Sequence, residues 1–276
     1  MSRTYANNQA ETKASSTAGA RVVARNITKV FSPPGSEIIA CKDVNLSAAP
    51  GEFVVIVGPS GCGKSTLLRM MAGLDSPTSG TLQVDSPNGK RPTNSMVFHG
   101  RTLFPWLSLR SNVAYGMQMH GKSRRARLDR ADELLDLVGL GDFRNAWPHQ
   151  VSEGMRQRTS LARALAIDPQ LLLMDEPFGA LDEQTRYILQ EELLRIWDNT
   201  GKTVIFVTHS IEEALLLGDR IVVMTARPGT IADDIVVPFP RPRSLTTIRS
   251  HAEFGPLFDR IWSRLRDEVE RGGAFR

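Results

Sequence analysis

Short apolar runs break up an otherwise mixed pattern of polar and apolar positions along this chain. Phe53-Val54-Val55-Ile56-Val57, Leu171-Leu172-Leu173-Met174 and Thr203-Val204-Ile205-Phe206-Val207-Thr208 are too short for buried helices. They are predicted to be strands covered on both faces, as in a parallel sheet. A further strand is expected over residues 220–225, and helices over residues 67–72, 155–166 and 210–217. Residues 124–139 carry Leu128, Leu134, Leu135 and Val138 at spacings that share one helical face. Near the end of the chain, Phe254, Leu257, Phe258, Ile261, Trp262, Leu265 and Val269 recur at helical spacing, which predicts an amphipathic helix docked on its own domain. Pro33-Pro34-Gly35, Pro50-Gly51 and the proline-rich stretch 238–242 punctuate these elements. Residues 1–19 are polar, rich in small side chains and aperiodic, so they are expected to be disordered. No long internal repeat or coiled-coil pattern is present.

Chemistry enters where the first strand ends. Gly58-Pro59-Ser60-Gly61-Cys62-Gly63-Lys64-Ser65-Thr66 matches the phosphate-binding loop G-x-x-x-x-G-K-[ST], between a predicted strand and a predicted helix. Such a loop turns backbone N–H groups inward around phosphate oxygens. Lys64 is placed to reach the β- and γ-phosphates and the Ser65 hydroxyl to ligate Mg²⁺. A plain glycine-rich turn is the competing reading, and the flanking strand and helix argue against it.

The second run ends in Asp175-Glu176, which delivers two carboxylates to the carboxyl end of a strand, where ligands collect in open α/β sheets. Paired with the phosphate loop, Asp175 is expected to hold Mg²⁺ directly or through water, and Glu176 to act as general base on the attacking water. The third run ends at His209, from which an imidazole could meet the γ-phosphate or the water; a satisfied structural histidine is the plainer alternative.

Taken in order, these motifs and the octapeptide Val151-Ser152-Glu153-Gly154-Met155-Arg156-Gln157-Arg158 resemble the nucleotide-binding subunit of an ABC transporter, over roughly residues 20–238. The resemblance implies an α/β fold. Its parts are a P-loop NTPase (RecA-like) core with a mixed sheet, an inserted α-helical subdomain at about residues 100–158 and an N-proximal antiparallel β subdomain. Residues 20–237 would form the nucleotide-binding domain, and residues 238–276 a linker and helix. It further implies an ATPase that works with ATP and Mg²⁺ as a head-to-tail homodimer, or with a paralogous ATPase subunit. Ser152, Glu153 and Gly154 would close on ATP held by the opposite subunit. Phe31 resembles the aromatic that stacks on adenine, although a core residue of an edge strand fits its surroundings equally well. Asp182, in Gly179-Ala180-Leu181-Asp182, resembles the D-loop aspartate, Glu176 the catalytic glutamate and His209 the switch histidine.

Two positions depart from the family pattern. His99 stands where the family has a glutamine that touches Mg²⁺ and water; Mg²⁺ prefers oxygen, so an imidazole is a poor replacement there. Glu153 replaces the first glycine of Ser-Gly-Gly, and a carboxylate turned toward the γ-phosphate would be repelled by it, whereas one turned outward would cost little. A slower ATPase, rather than a dead one, is the expectation.

Composition changes the picture little. A chain of 276 residues suffices for one large α/β domain with an inserted subdomain. The two cysteines, Cys41 and Cys62, make a disulfide framework improbable and suit a reducing cytosol. No apolar run is long enough to span a bilayer and the first residues lack the apolar core of a signal peptide, so a pore must come from another chain. The expected location is the cytoplasmic face of the inner membrane, held peripherally. A net charge of +4 gives no case for nucleic acid, and the basic run Lys122-Ser123-Arg124-Arg125-Ala126-Arg127 is read as a solvated helix face.

Within the family, Thr102-Leu103-Phe104-Pro105-Trp106-Leu107 falls where the membrane subunit's coupling helix docks, so a permease contact around Trp106 is implied; a locally packed loop is the alternative. Thr225-Ala226-Arg227-Pro228-Gly229-Thr230-Ile231 resembles a turn of the nitrate, sulfonate and taurine import branch. That branch implies an extracytoplasmic substrate-binding protein as an indirect partner and a small anion as cargo. A soluble ABC ATPase of DNA or ribosome function, or a low-turnover regulatory subunit, are the competing functions.

Overall fold

A computed structural model describes residues 19–86, 94–98, 100 and 102–271. In chain order its elements are β1 (Arg21–Phe31), β2 (Ile38–Ala48), β3 (Phe53–Val57), α1 (Lys64–Met71), β4 (Ser79–Asp85), β5 (Asn94–Val97), α2 (Leu109–Met119), α3 (Arg124–Leu137) and α4 (Glu153–Ala166). They continue with β6 (Leu171–Asp175), α5 (Glu183–Thr200), β7 (Thr203–Thr208), α6 (Ile211–Leu217), β8 (Arg220–Met224), β9 (Ile231–Val236), α7 (Leu245–Arg249) and α8 (Phe254–Arg271).

The predicted apolar runs are β3, β6 and β7, and every residue of the three is buried. They form the middle of a six-stranded sheet of order β5-β6-β7-β3-β8-β9, parallel throughout except for the antiparallel pair of β8 and β9. Continuous apolar sequence is what such strands need, because both faces are covered. One face packs on α2 to α6 and on α8, the other on α1 and a second, antiparallel sheet of order β2-β1-β4. The result is the mixed-sheet P-loop core with an antiparallel β layer that the motifs imply.

Register brings the chemistry to one edge. Val57 pairs with Thr208, and Asp175 pairs with Val207, so β3, β6 and β7 end side by side. Between β5 and β6, α2, α3 and α4 pack together around Val113, Leu134, Leu135 and Leu161. Helix α3 buries Leu134 and Leu135 and leaves Arg124 and Arg125 in water, which gives the basic run its solvated face. Helix α4 begins two residues before the predicted start at residue 155, because Ser152 caps it, with its Oγ accepting the Met155 N–H at 3.3 Å.

Beyond β9 the chain returns across the core. Arg241 stacks over Trp197 at 4.0 Å and pairs with Asp219 at 2.8 Å. Arg243 is almost fully buried and donates to the carbonyls of Phe239 and Gly218; burial, with Arg241 adding repulsion, draws its guanidinium down to about 10. Helix α8 packs on α6 and β8 through Phe254, Leu257, Phe258, Ile261 and Leu265. Trp262, expected on that apolar face, is instead 53% exposed. Among the described residues no helix is long and apolar enough to cross a membrane.

Candidate nucleotide site

A cavity of about 270 Å³ opens where β3 and β7 end and α1 begins, lined by Phe31, Ile38, Ala40, Ser60, Gly61, Gly63, Lys64, Ser65, Thr66, Glu176, His209 and Arg227. Its floor is the phosphate loop. Gly63 caps α1 at φ 99°, and a Cβ there would come within 2.7 Å of the Ala40 carbonyl oxygen, so conformation and space both demand glycine. The N-terminus of α1 therefore faces the cavity with unpaired N–H groups, the arrangement that attracts an anion. Lys64 is 4% exposed, and its Nζ donates to the carbonyls of Gly58 and Pro59 at 2.8 Å each. These bonds hold the ammonium beside the loop. Cys62 is fully buried, and burial pushes its thiol up, which makes it a packing residue rather than a nucleophile.

At the end of the loop, Ser65 Oγ donates to Asp175 Oδ1 at 3.0 Å. A hydroxyl and a carboxylate oxygen in contact form a hard-oxygen donor set of the kind Mg²⁺ uses. The next residue, Glu176, has φ 50°, a left-handed conformation that a non-glycine residue adopts at a cost of about 1 to 2 kcal/mol. Three hydrogen bonds hold it there. Its N–H donates to the Val207 carbonyl at 3.0 Å, and its own carbonyl accepts from Gln157 Nε2 at 3.0 Å and from the Gly179 N–H at 3.3 Å. So held, Glu176 presents Oε1 to His209 Nε2 at 2.6 Å. Below this pair, buried Glu213 accepts from Gln190 Nε2 at 2.8 Å and from the Thr208 hydroxyl. Burial raises its carboxyl above the ordinary range.

Phe31 is 41% exposed and faces the phosphate loop across the cavity, with Lys29 Nζ 5.0 Å from its ring centroid. It is not a core residue. Ser152, Glu153 and Gly154 lie at the N-terminus of α4 and, among the described residues, are not part of the cavity lining. The Glu153 carboxylate is folded back on its own helix, 2.5 Å from Arg156 Nη2, while Arg156 also donates to the carbonyls of Pro148 and Val151. Its charge is thus paired, and as a first-turn acid it suits the helix dipole. Asp182 caps α5, and the Thr185 backbone N–H, donating at 3.0 Å, holds its carboxyl below the ordinary range. His99 lies outside the described residues.

Two participants escaped the sequence reading. Gln157 ties α4 to the loop after β6: its Nε2 donates to the Glu176 carbonyl, and its Oε1 accepts the Ala180 N–H at 3.0 Å. Arg227 reaches the cavity from the turn after β8. A glutamine inside a motif and an arginine inside a turn were both in view, but only tertiary contacts disclose what they touch. Farther off, Trp106 is 67% exposed and rests on Phe104 at 5.5 Å; Phe104 in turn packs on Tyr115 at 4.7 Å.

Comparison with known proteins places the chain in a family. Residues 41–179 match the family described as ABC transporter. An uncharacterized ABC transporter ATP-binding protein of Methanocaldococcus jannaschii is 46% identical over 246 residues, covering 88% of this chain and 91% of its own. A nitrate import ATP-binding protein of Synechocystis is 43% identical over 248 residues, covering 87% and 93% of the two chains. A taurine import ATP-binding protein of Roseobacter denitrificans is 44% identical over 246 residues, covering 86% and 91%. Among solved structures, a dimeric ATP-binding cassette in a post-hydrolysis state with ADP and Pi superposes with a TM-score of 0.72 at 34% identity, covering 79% of this chain and 100% of that one. The chain belongs to the ABC transporter family, as an ATP-binding subunit that hydrolyses ATP.

Proposed function

We propose that two copies of this subunit close around two ATP molecules, and that closure drives a separate permease importing a small oxyanion-bearing solute of the nitrate, sulfonate and taurine class. The observation that carries the reading is the contact of Glu176 with His209 at adjacent strand ends, facing the phosphate loop. A carboxylate oriented by an imidazole, beside a cradle for phosphates, is the arrangement that activates water for attack on a terminal phosphoryl group.

In this scheme Lys64 turns from the Gly58 and Pro59 carbonyls to the β- and γ-phosphates, and Phe31 stacks on the base. Ser65 and Asp175 would hold Mg²⁺, which neutralises charge on the phosphate oxygens when bound. Glu176 accepts the proton of the attacking water. His209 orients that carboxylate and meets the γ-phosphate. Ser152 and the backbone of Gly154, at the N-terminus of α4, close on the γ-phosphate held by the other copy, and Asp182 lies at the junction. Trp106, exposed and braced by Phe104, suits a groove for a coupling helix of the permease. Such an assembly works at the cytoplasmic face of the membrane, with an extracytoplasmic binding protein delivering the solute.

The substrate class follows the names of the nitrate and taurine import relatives and the Thr225-Ala226-Arg227-Pro228-Gly229 turn. The test is affinity purification of the tagged chain from membranes, followed by reconstitution in vesicles. Recovery of a polytopic membrane protein, with ATP-dependent taurine or nitrate uptake that Glu176→Gln abolishes, is expected. Recovery with nucleic acid in the soluble fraction would overturn the reading.

A further inference from the structure

Two segments are left unused by this mechanism, the turn after β8 and helix α8; they touch at Ala226, and the turn reaches the nucleotide cavity through Arg227. The turn is closed on itself. The Thr225 N–H donates to the Thr230 carbonyl at 2.9 Å, the Thr230 N–H to Thr225 Oγ1 at 2.8 Å, and the Thr225 hydroxyl to the Pro228 carbonyl at 3.2 Å. It is also tied to β2, with the Gly229 N–H donating to the Ala40 carbonyl at 3.1 Å and the Lys42 N–H to the Gly229 carbonyl at 2.9 Å. Against the phosphate loop the fit is tighter still. A Cβ on Gly229 would stand 1.9 Å from the Cys62 carbonyl oxygen, so only glycine permits the approach.

A turn fixed on these sides aims one side chain at the site. Arg227 lines the same cavity as Phe31, Gly61 and Lys64, and its Nη2 lies 3.8 Å from where a Cβ on Gly61 would be. From behind, Glu268 of α8, only 7% exposed, accepts the Ala226 N–H at 3.0 Å, one residue before Arg227. The guanidinium offers donors and no acceptors. It stands over a loop that itself presents N–H donors, with a lysine and a helix N-terminus close by. The carboxylate in the lining, Glu176, is engaged by His209 at 2.6 Å, so Lys64, Arg227 and the loop N–H groups still favour an anion, and a guanidinium meets phosphate oxygens with paired, charge-assisted hydrogen bonds.

We propose that Arg227 binds the phosphate chain of the nucleotide, and that α8 positions it by holding the Ala226 N–H with Glu268. The C-terminal helix is then a determinant of nucleotide affinity as well as a cover for the core. This rests on the phosphate-loop cavity being the ATP site.

Isothermal titration of the full-length chain with Mg·ATP and Mg·ADP tests it. Arg227→Ala is expected to weaken both by about tenfold, the scale of losing a hydrogen bond to a charged group, with Arg227→Lys recovering part of the loss. Glu268→Ala is expected to weaken both severalfold, and Glu268→Gln, which keeps an acceptor for the N–H, to bind as wild type does. In the Arg227→Ala background Glu268→Ala is expected to add nothing, because its effect passes through that guanidinium. Affinities of Arg227→Ala within twofold of wild type, or losses that simply multiply in the double variant, would overturn the proposal. Equal affinity in wild type and Lys64→Ala would instead sink the assignment of the cavity as the ATP site. Thermal unfolding of each variant separates a binding effect from a folding one.

Discussion

Glu176 holds a left-handed backbone that costs about 1 to 2 kcal/mol, and the three hydrogen bonds around it show where that cost is offset. Strain of this kind persists where the surroundings over-determine the residue, and here it aims a carboxylate at His209. Glu176→Gln keeps the shape and removes the base, so phosphate release is expected to fall by about 100-fold or more while ATP binding by titration is retained. Glu213 allows a test with pH. Burial raises its folded value above the unfolded one, so folding takes up a proton between the two. The stability this group contributes is fully present below the unfolded value and is lost as pH rises through the raised folded value. Glu213→Gln has no such titration. Urea melts between about pH 4 and pH 8 should therefore show the variant gaining stability relative to wild type as pH rises, and a flat difference would contradict the assignment. At this scale the sequence was legible where chemistry depends on adjacent residues, as in Asp175-Glu176 and the phosphate loop. The two readings left open for Phe31 could not be separated there, because exposure is a property of the folded edge and not of the residues flanking it.

Among the elements, α4 is the one whose role depends most on its neighbours. Gln157 bridges it to both sides of the loop after β6, and a Cβ on Gly154 would lie 3.2 Å from Leu181 Cδ2. Helix α4, Glu176 and the loop that leads to Asp182 are thereby one mechanical unit. Gln157→Leu is expected to remove one of the two donors to the Glu176 carbonyl and to leave the exposed Ala180 N–H to water, with a stability loss of about 0.5–1.5 kcal/mol by urea melt. Turnover is expected to fall severalfold while ATP affinity holds, since Gln157 does not itself line the cavity and its loss loosens only the backbone behind Glu176. The parallel strands could be read in advance because burial on both faces writes itself as unbroken apolar sequence. The start of α4 could not, since Gly154 weakens the helical pattern that the Ser152 cap in fact begins. Gln157 left no trace at all, for a polar residue in a polar stretch looks the same whether or not its amide has tertiary partners.

At the scale of the whole molecule, the cavity and the N-terminus of α4 do not meet within one chain among the described residues. Ser152 and Gly154 lie outside the cavity lining among the described residues, although each is expected to meet a γ-phosphate. The proposed two-fold dimer would resolve this by giving each site the phosphate loop of one copy and the α4 N-terminus of the other. Residue pattern alone shows both motifs, and the expectation that they serve different copies' sites comes from the family resemblance, because it depends on how two copies face each other. Mixing variants makes the arrangement measurable. Lys64→Ala disables the phosphate loop and Ser152→Arg the signature side, so each homodimer has two damaged sites and is expected to be inactive. In the mixed dimer both lesions fall in one site, while the other pairs an intact Lys64 with an intact Ser152. If subunits exchange freely, half of the dimers are mixed and each has one working site of two, which places the recovered phosphate release at about one quarter of wild type for independent sites. Recovery that rises with the square of the mixed fraction, or a rate below that of either variant alone, would speak against sites shared between copies. An activity that returns only when both variants are present requires that each active site be built from two chains.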